Sequence, residues 1–293
     1  MNSKTPLVKN QHYVPVVHLK QFSDDNTELL AQILDKGGDD IKLIPPNTPN
    51  SMGHKNKLYE PYSKTPNQLE RFFSEFEGRL GYAIKEVLEE LAGKKKTKIF
   101  ITAESLRVLS DHAAILYYRH PSAITSGHTV LTSKIALQLP LNHDPKLSVP
   151  LFFSAFTENN LRLPSRVSIL VTREHIPFNL SHPIFRDESK SVIMPLSKNS
   201  VMTFGRNAPH QNMLQKIAVD VYYEQGQSPI SLSALNVATY SNELDYPHHY
   251  VTSISSSDRI LQEISNRRQY QQRNLPGVVG VRGNGFYVSE RRY

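Results

Sequence analysis

Four groups of polar residues in this chain have types and spacings suited to acid–base or phosphate chemistry. His12 stands in the run Gln11-His12-Tyr13-Val14-Pro15, a segment that otherwise reads as an apolar strand. Its imidazole titrates near neutrality and can serve as base, acid or ligand; the plainer reading is a histidine bonding backbone at a strand end. Glu77 lies four residues after Phe73 and seven before Ile84. At 100° per residue it falls about 40° from Phe73, at the edge of an apolar helical stripe. A carboxylate there is partly buried and needs a partner, which Arg79, roughly 200° around the helix, cannot easily be. A helix–helix salt bridge and a functional carboxylate are both open for Glu77. His112 and Arg119 are seven residues apart, so they face nearly the same way, about 10 Å apart along the axis. His120 falls about 80° from His112, closer to the buried stripe. An arginine at a helix end binds phosphate or carboxylate through its two-pronged fork, or caps the helix. Ser181-His182-Pro183 after Phe178 forms the fourth group. Pro247-His248-His249-Tyr250 is a weak fifth, because adjacent histidines on a strand point to opposite faces.

The composition narrows the chemistry. The chain has 293 residues and no cysteine, which excludes disulfides, zinc–thiolate sites and a cysteine nucleophile. Any metal needs His, Asp or Glu ligands; the metal ligands stay unassigned, a divalent metal being compatible with the polar groups above. There is no tryptophan, so stacking rests on 14 Tyr and 12 Phe. The mean hydropathy of −0.43 suits a soluble globular protein, no apolar run is long enough to span a bilayer, and the first residues lack the apolar core of a signal peptide. A cytoplasmic protein with no membrane partner is the expectation. The net charge is +7. From Arg259 to the end, seven arginines stand against Glu263 and Glu290, a net +5 in that segment. Arg267, Arg268 and Arg273, interleaved with Tyr270, Phe286, Tyr287 and Tyr293, suit a phosphate backbone and stacked bases. A solvated or oligomer-contacting tail is the alternative.

These residues need elements to position them. Residues 10–22 and 28–34 read as strands around the turn Ser23-Asp24-Asp25-Asn26, and 36–57, with Gly37-Gly38, Pro45-Pro46 and Pro49, reads as a long loop. A helix follows from Thr65 as N-cap, with Pro66 at its first position and Gln68 completing a capping box. Leu69, Phe72, Phe73, Phe76, Leu80, Ile84, Val87, Leu88 and Leu91 keep its helical spacing to Gly93, and Lys94-Lys95-Lys96 suits the negative end of its dipole. A second helix runs from about Thr102 to Tyr118, with Leu106, Leu109, Ala113, Leu116 and Tyr117 inward, and stops before Pro121. Residues 126–140 read as helical, and 150–156, 166–173, 191–196 and 200–205 as strands, with Lys198-Asn199 a hairpin turn. Residues 209–224 read as a third helix and 256–270 as a short one. The expected class is α+β: mixed antiparallel strands packed with three main helices, one domain over 1–255 and an irregular basic tail over 256–293. There is no Gly-x-Ser-x-Gly elbow, phosphate-binding loop, dinucleotide fingerprint or His-Glu-x-x-His. The glycines at 277, 280, 283 and 285 have no strand–helix context.

The run from Gln11 through Pro15 and Leu19 to Phe22-Ser23 resembles the N-terminal signature of DUF4238, a bacterial family of unknown function with a similar His-Tyr-Val-Pro…Leu…Phe-Ser pattern. The resemblance extends more diffusely to about residue 225. Glu77-Gly78 is similar to an acidic-Gly step in the family's corresponding helix, and Arg119-His120-Pro121 to its Arg-x-Pro step. Ser181-His182-Pro183 departs from a Ser-Asp-x-Pro pattern, lacking the aspartate and one residue; either that aspartate's role is lost here or His182 takes it. Pro195-Leu196-Ser197 matches a Pro-Leu-Ser step, and Asn212 an asparagine that is either a polar ligand or a cap-region residue. The resemblance names a family, not a reaction.

Three readings result. In the first the chain is an enzyme acting on nucleic acid, with RNA favoured. His12 and a second histidine, such as His112, do acid–base work, Arg119 stabilises the phosphorane, and Glu77 orients a histidine or helps to hold a metal. Tyr13, His120, His182, Asn212 and the tail arginines bind substrate. In the second it is a non-catalytic module binding nucleic acid or protein through the tail. In the third it is a subunit of a larger bacterial or phage complex.

Overall fold

The computed structural model describes residues 7–36, 40–59, 67–93, 95–121, 167–181, 183–186, 192–205, 216–223 and 248–274. Strand expectations at 150–156 and the helix at 126–140 lie outside these residues. In chain order the elements are β1 (Asn10–His12), α1 (Val16–Leu19), β2 (Leu30–Asp35), β3 (Ile41–Asn47), β4 (His54–Asn56), α2 (Gln68–Leu91), β5 (Lys98–Thr102) and α3 (Ala103–Arg119). They continue with β6 (Val167–Val171), β7 (Phe178–Asn179), β8 (Phe185–Arg186), β9 (Val192–Ser197), β10 (Ser200–Phe204), β11 (Lys216–Tyr223), β12 (His248–Thr252) and α4 (Ser257–Asn274). Helices and largely antiparallel sheets make an α+β architecture, as the sequence predicts. The chain forms two compact units, one of Met1–His18, Asn50–Pro164 and Asn207–Ala218, the other of Leu19–Pro49, Ser165–Arg206 and Val219–Tyr293.

The first unit is built on α2 and α3. Leu69, Phe73, Phe76, Leu80, Ala83, Ile84 and Val87 are all buried on α2, at the three- and four-residue spacing its sequence shows. Thr65 and Pro66 lie outside the described residues, and the cap position is held by Asn67, in the left-handed region at φ 58°. Its side chain does not cap α2: Asn67 Oδ1 accepts from the backbone N–H of Val8 instead, at 2.8 Å. Gly93, at φ +95°, closes the other end, where a left-handed residue is cheapest as glycine. At Gly81 a Cβ would lie 3.3 Å from Val17 Cγ2, so the missing side chain is what lets α1 approach α2. Thr102 caps α3 through Oγ1, which accepts from Ser105 N, while Glu86 of α2 accepts from both Thr102 N and Oγ1 at 3.0 Å. Leu106, Leu109, Ala113 and Leu116 face inward as expected.

The opening segment departs from the expected strand. Only Asn10–His12 is extended, and it pairs antiparallel with β4, His12 opposite His54 and Asn10 opposite Asn56. Pro15 then opens α1, its carbonyl accepting from His18 N at 3.0 Å. The ring fixes φ near the helical value at a position where the missing N–H is not needed.

In the second unit β11, from Val219 on, runs parallel to β6, followed by β10, β9 and β8 in antiparallel order. Lys198-Asn199 turns β9 into β10 as predicted, and Pro195-Leu196-Ser197 is the strand leading into that hairpin. A second sheet has the order β3-β2-β12-β7. On it Ile260 and Ile264 of α4 pack against Ile33 and Tyr250. The long loop expected over 36–57 is corrected: it contains β3 and β4. Pro45 and Pro46 sit in β3, the edge strand of its sheet, where a residue without N–H forfeits no central ladder bond. The helix expected over 209–224 is also corrected. Over 216–223 the chain is a strand in which Val219 and Val221 are buried while Lys216, Ala218 and Asp220 are exposed. That is a period of two in a β-branched segment, and it overrides the helical pattern. The short C-terminal helix is present as α4.

Replacing Thr102 by Ala removes the α3 cap and the hydroxyl that Glu86 holds. Urea unfolding of Thr102→Ala should show a loss of about 1–2 kcal/mol, against under about 0.5 kcal/mol for a control such as Lys85→Ala on the exposed face.

Candidate functional site

At the start of the first unit, β1 and β4 form a two-stranded ribbon with two unlike faces. Gln11 points inward, fully buried, and its Oε1 accepts from Tyr59 N at 2.6 Å. By strand alternation Asn10, His12, His54 and Asn56 share the other face. The two histidines are half-buried and the two asparagines exposed. The imidazoles of His12 and His54 meet edge to face, centroids 5.5 Å apart.

His12 has a defined tautomer when neutral. Its Nε2 lies 3.1 Å from the carbonyl of Asn50, which can only accept, so Nε2 carries the proton and Nδ1 the lone pair. Nδ1 has no partner among the described residues. Burial holds His12 below the usual imidazole value, opposed by the bond to Asn50; His54 and Arg119 lower it further, and Glu77 raises it. At neutral pH the ring is therefore mostly a free base.

What fixes this histidine is Arg119, at the end of α3 and completely buried. Its Nη1 donates to Glu77 Oε1 at 2.9 Å, its Nε to Tyr59 Oη at 3.0 Å, and its Nη2 to the backbone carbonyl of His12. The guanidinium also stacks 3.9 Å from the centroid of the Phe73 ring. Tyr59 Oη donates in turn to the same His12 carbonyl, at 2.8 Å. Burial pushes the Tyr59 phenol up to about 12, so it keeps its proton and can donate. Glu77 thus finds in Arg119 the partner that Arg79 could not be. Its side chain is 26% exposed, and Oε2 has no partner among the described residues. Arg79 instead approaches Glu104 on α3.

The sequence placed His12, Glu77, His112 and Arg119 together as chemistry-bearing residues. His12, Glu77 and Arg119 do converge. Arg119 is enclosed, however, and its three nitrogens are each engaged by protein, so it holds His12 and Glu77 in place rather than facing a ligand. His112 lies in a separate buried contact, its Nε2 3.0 Å from His18 Nδ1. Nδ1 of His112 has no partner among the described residues. Burial first, then His18 and Arg119, hold His112 well below the usual imidazole value. Tyr13 and His120 meet edge to face at 5.4 Å, both half-buried, so His120 is more exposed than His112 despite its place nearer the apolar stripe. His182 and Asn212 lie outside the described residues. Arg267, Arg268 and Arg273 fall on α4 with no described side chains. Among the described residues no three His, Asp or Glu side chains are grouped to hold a metal.

Sequence reasoning missed His54, Asn10, Asn56, Tyr59 and His18. All but His18 lie in or against the ribbon, and β4 was taken as loop; no local pattern marks a three-residue strand whose partner is some 40 residues away. His18 had a signal, its place on one face of a short helix after Pro15, but that face exists only once Pro15 is read as a helix start.

Removing Glu77 leaves the buried Arg119 cation without its counter-charge. Glu77→Ala should lower stability by about 3 kcal/mol in chemical denaturation, and Arg119→Lys, which keeps the charge but loses the fork, should also be strongly destabilised. The buried His112 gives a second expectation. Its folded value is depressed, so its contribution is fully present above the unfolded value near 6.5 and is lost as the pH falls below it, where only the unfolded chain takes up the proton. Urea midpoints should drop between pH 7.5 and 5, with a shallower slope in His112→Leu whatever that variant's absolute stability. Equal slopes would remove His112 as the source.

Residues 10–143 match the model of a family described as a protein of unknown function (DUF4238). No curated protein and no solved structure matches the chain. The match stops short of the residue near 225 to which the resemblance was traced, and it spans β1 through α3, the elements that build the ribbon and the Arg119 cluster. Over residues 10–143, just under half of its length, the chain matches the DUF4238 family model, the same family that its opening residues resemble.

Proposed function

We propose that the first unit cleaves phosphodiester bonds in nucleic acid, with RNA the favoured substrate. The observation that carries this reading is the His12–His54 pair on the outer face of the β1–β4 ribbon, with Nδ1 of His12 unpartnered among the described residues. Two neighbouring imidazoles can supply a base and an acid to one displacement. His12 Nδ1 would take the proton from a ribose 2′-hydroxyl as that oxygen attacks the adjacent phosphorus. His54 would supply a proton to the leaving 5′-oxygen. The 2′-hydroxyl is the group that distinguishes RNA from DNA, and it supplies the nucleophile from within the substrate.

Arg119 is given a different part from the one expected of it. Enclosed as it is, it positions the His12 backbone and Glu77 rather than touching the phosphorane. The accessible groups beside the histidines on this face are the amides of Asn10 and Asn56. These suit the developing negative charge and the flanking phosphates. The carboxylate of Glu77 favours the charged form of His12 as it takes up its proton.

Incubation of the purified protein with total RNA, plasmid and single-stranded DNA, with chelator or with magnesium or manganese, tests this. RNA should be cut. His12→Ala and His54→Ala should each lose roughly 100-fold or more in rate, with the circular dichroism spectrum unchanged. Undiminished cleavage by His12→Ala, or no cleavage by the wild type, overturns the reading. A salt-sensitive mobility shift without cleavage would favour a nucleic-acid-binding module instead.

A further inference from the structure

In the second unit four loops converge on His175, which lies between β6 and β7. The β9–β10 turn is tied to this segment by Thr172 N–Asn199 O at 2.8 Å and Ile176 N–Lys198 O at 2.7 Å. The turn before β2, at Asp24-Asp25, is tied to the β9–β10 turn by Lys198 Nζ–Asp25 Oδ1 at 2.7 Å. The fourth loop, Ser253–Ser256, leads from β12 into α4. Asp24 pins it by accepting from Ser255 N at 3.0 Å and from Ser255 Oγ. Arg259, in the first turn of α4, donates to the His175 carbonyl and pairs with Glu174 and Glu263. The His175 main chain is thus held from several sides.

The imidazole so held faces two hydroxyls. His175 Nδ1 lies 2.7 Å from Ser256 Oγ and 2.8 Å from Ser253 Oγ. Ser253 is completely buried, whereas Ser256 and His175 are half-buried and reachable from solvent. Ser256 also stands immediately before an 18-residue helix, whose N-terminal partial charge favours an oxyanion forming there. None of these residues has a part in the ribbon chemistry, and His175 and the serines lie outside the span matched by the family model.

We propose that Ser256 and His175 form a nucleophile–base pair that cleaves carboxylic esters through an acyl-enzyme. Ser256 Oγ attacks the ester carbonyl carbon, and its proton passes to His175 Nδ1. The ester C–O bond breaks as that proton is handed to the departing alkoxide. Water then gives a proton to Nδ1 and attacks the acyl carbon, and the Ser256 oxygen leaves with the returned proton, releasing a carboxylic acid. Burial keeps His175 below its usual value, so the ring is neutral and able to accept the proton at physiological pH. Nε2 of His175 has no partner among the described residues, so no carboxylate is hydrogen-bonded there to orient an imidazolium, and Asp24 and Asp25 favour the charged ring only through space. That restricts the pair to esters, whose alkoxide leaves more readily than an amine. Ser253 and Asp24 are positioning residues, one setting the plane of the ring and the other the turn that presents Ser256.

The test treats the full-length protein with a fluorophosphonate probe and follows intact mass, then maps the adduct by peptide sequencing, with p-nitrophenyl acetate hydrolysis alongside. One adduct per chain on Ser256 is expected, absent in Ser256→Ala and slower by roughly 100-fold in His175→Gln, with a labelling rate that rises as His175 loses its proton. Asp24→Asn should slow labelling and move that pH profile to lower pH, because the Asp24 carboxylate favours the charged form of the ring. No adduct on the wild type, or one that persists in Ser256→Ala, overturns the proposal. Should His175→Gln fail to fold by circular dichroism, the Ser256→Ala result and the wild-type pH profile decide. RNA plays no part in the assay, so its outcome is separate from that of the ribbon reading.

Discussion

The first unit depends on one buried cation. Taking a guanidinium out of water costs several kcal/mol unless its donors are met, and at Arg119 they are met by a carboxylate, a phenol and a main-chain carbonyl, with an aromatic face beneath. Each partner comes from a different stretch: Glu77 from α2, Tyr59 from the chain after β4, and His12 from β1. The same interactions that compensate the charge therefore fix the two helices and the ribbon in one arrangement. Two of the three bonds fall on or beside the main chain of His12, so the backbone of that residue is held while its ring remains half-exposed. A rigid backbone carrying a ring whose lone pair has no partner among the described residues is what an acid–base site requires.

Neighbouring buried groups are consistent with this cation. Both His112 and Tyr59 are held in their neutral forms, one below and one above the ordinary range. Arg119 and Glu77 carry the charge in direct contact with this cluster, and the Glu77 side chain is partly exposed. The field at His12 is set by a cation behind it and a carboxylate beside it, which act in opposite directions. In the second unit the polar cluster around His175 is of another kind. It is made of loop ends and short side chains, its charges stay largely at the surface, and its order comes from backbone bonds between turns.

Much of the scaffold could be read from the chain because its signals are local. The apolar repeat of α2, the start near Thr102 and inward stripe of α3, and the Lys198-Asn199 turn each depend on residues within a few positions of one another. Glu77 could be placed at a stripe edge needing a partner for the same reason. The failures are equally specific. Pro45-Pro46 reads as a breaker unless the strand is known to be an edge. Residues 216–223 carry both periods, and the sheet chose the strand. Pro15 looks like part of an extended run until its role in opening α1 is seen.

By itself, then, the sequence determined helices α2, α3 and α4, the hairpin, the α+β class, the exclusion of thiol chemistry and the identity of three residues that converge, His12, Glu77 and Arg119. Tertiary structure alone decided what those residues do for one another. That Arg119 is enclosed, that His54 rather than His112 stands beside His12, and that Ser256 lies against His175 all follow from contacts between segments 40 or more residues apart. Propensity and periodicity act over a turn or two, whereas burial and charge compensation are set by whichever distant groups the fold brings together.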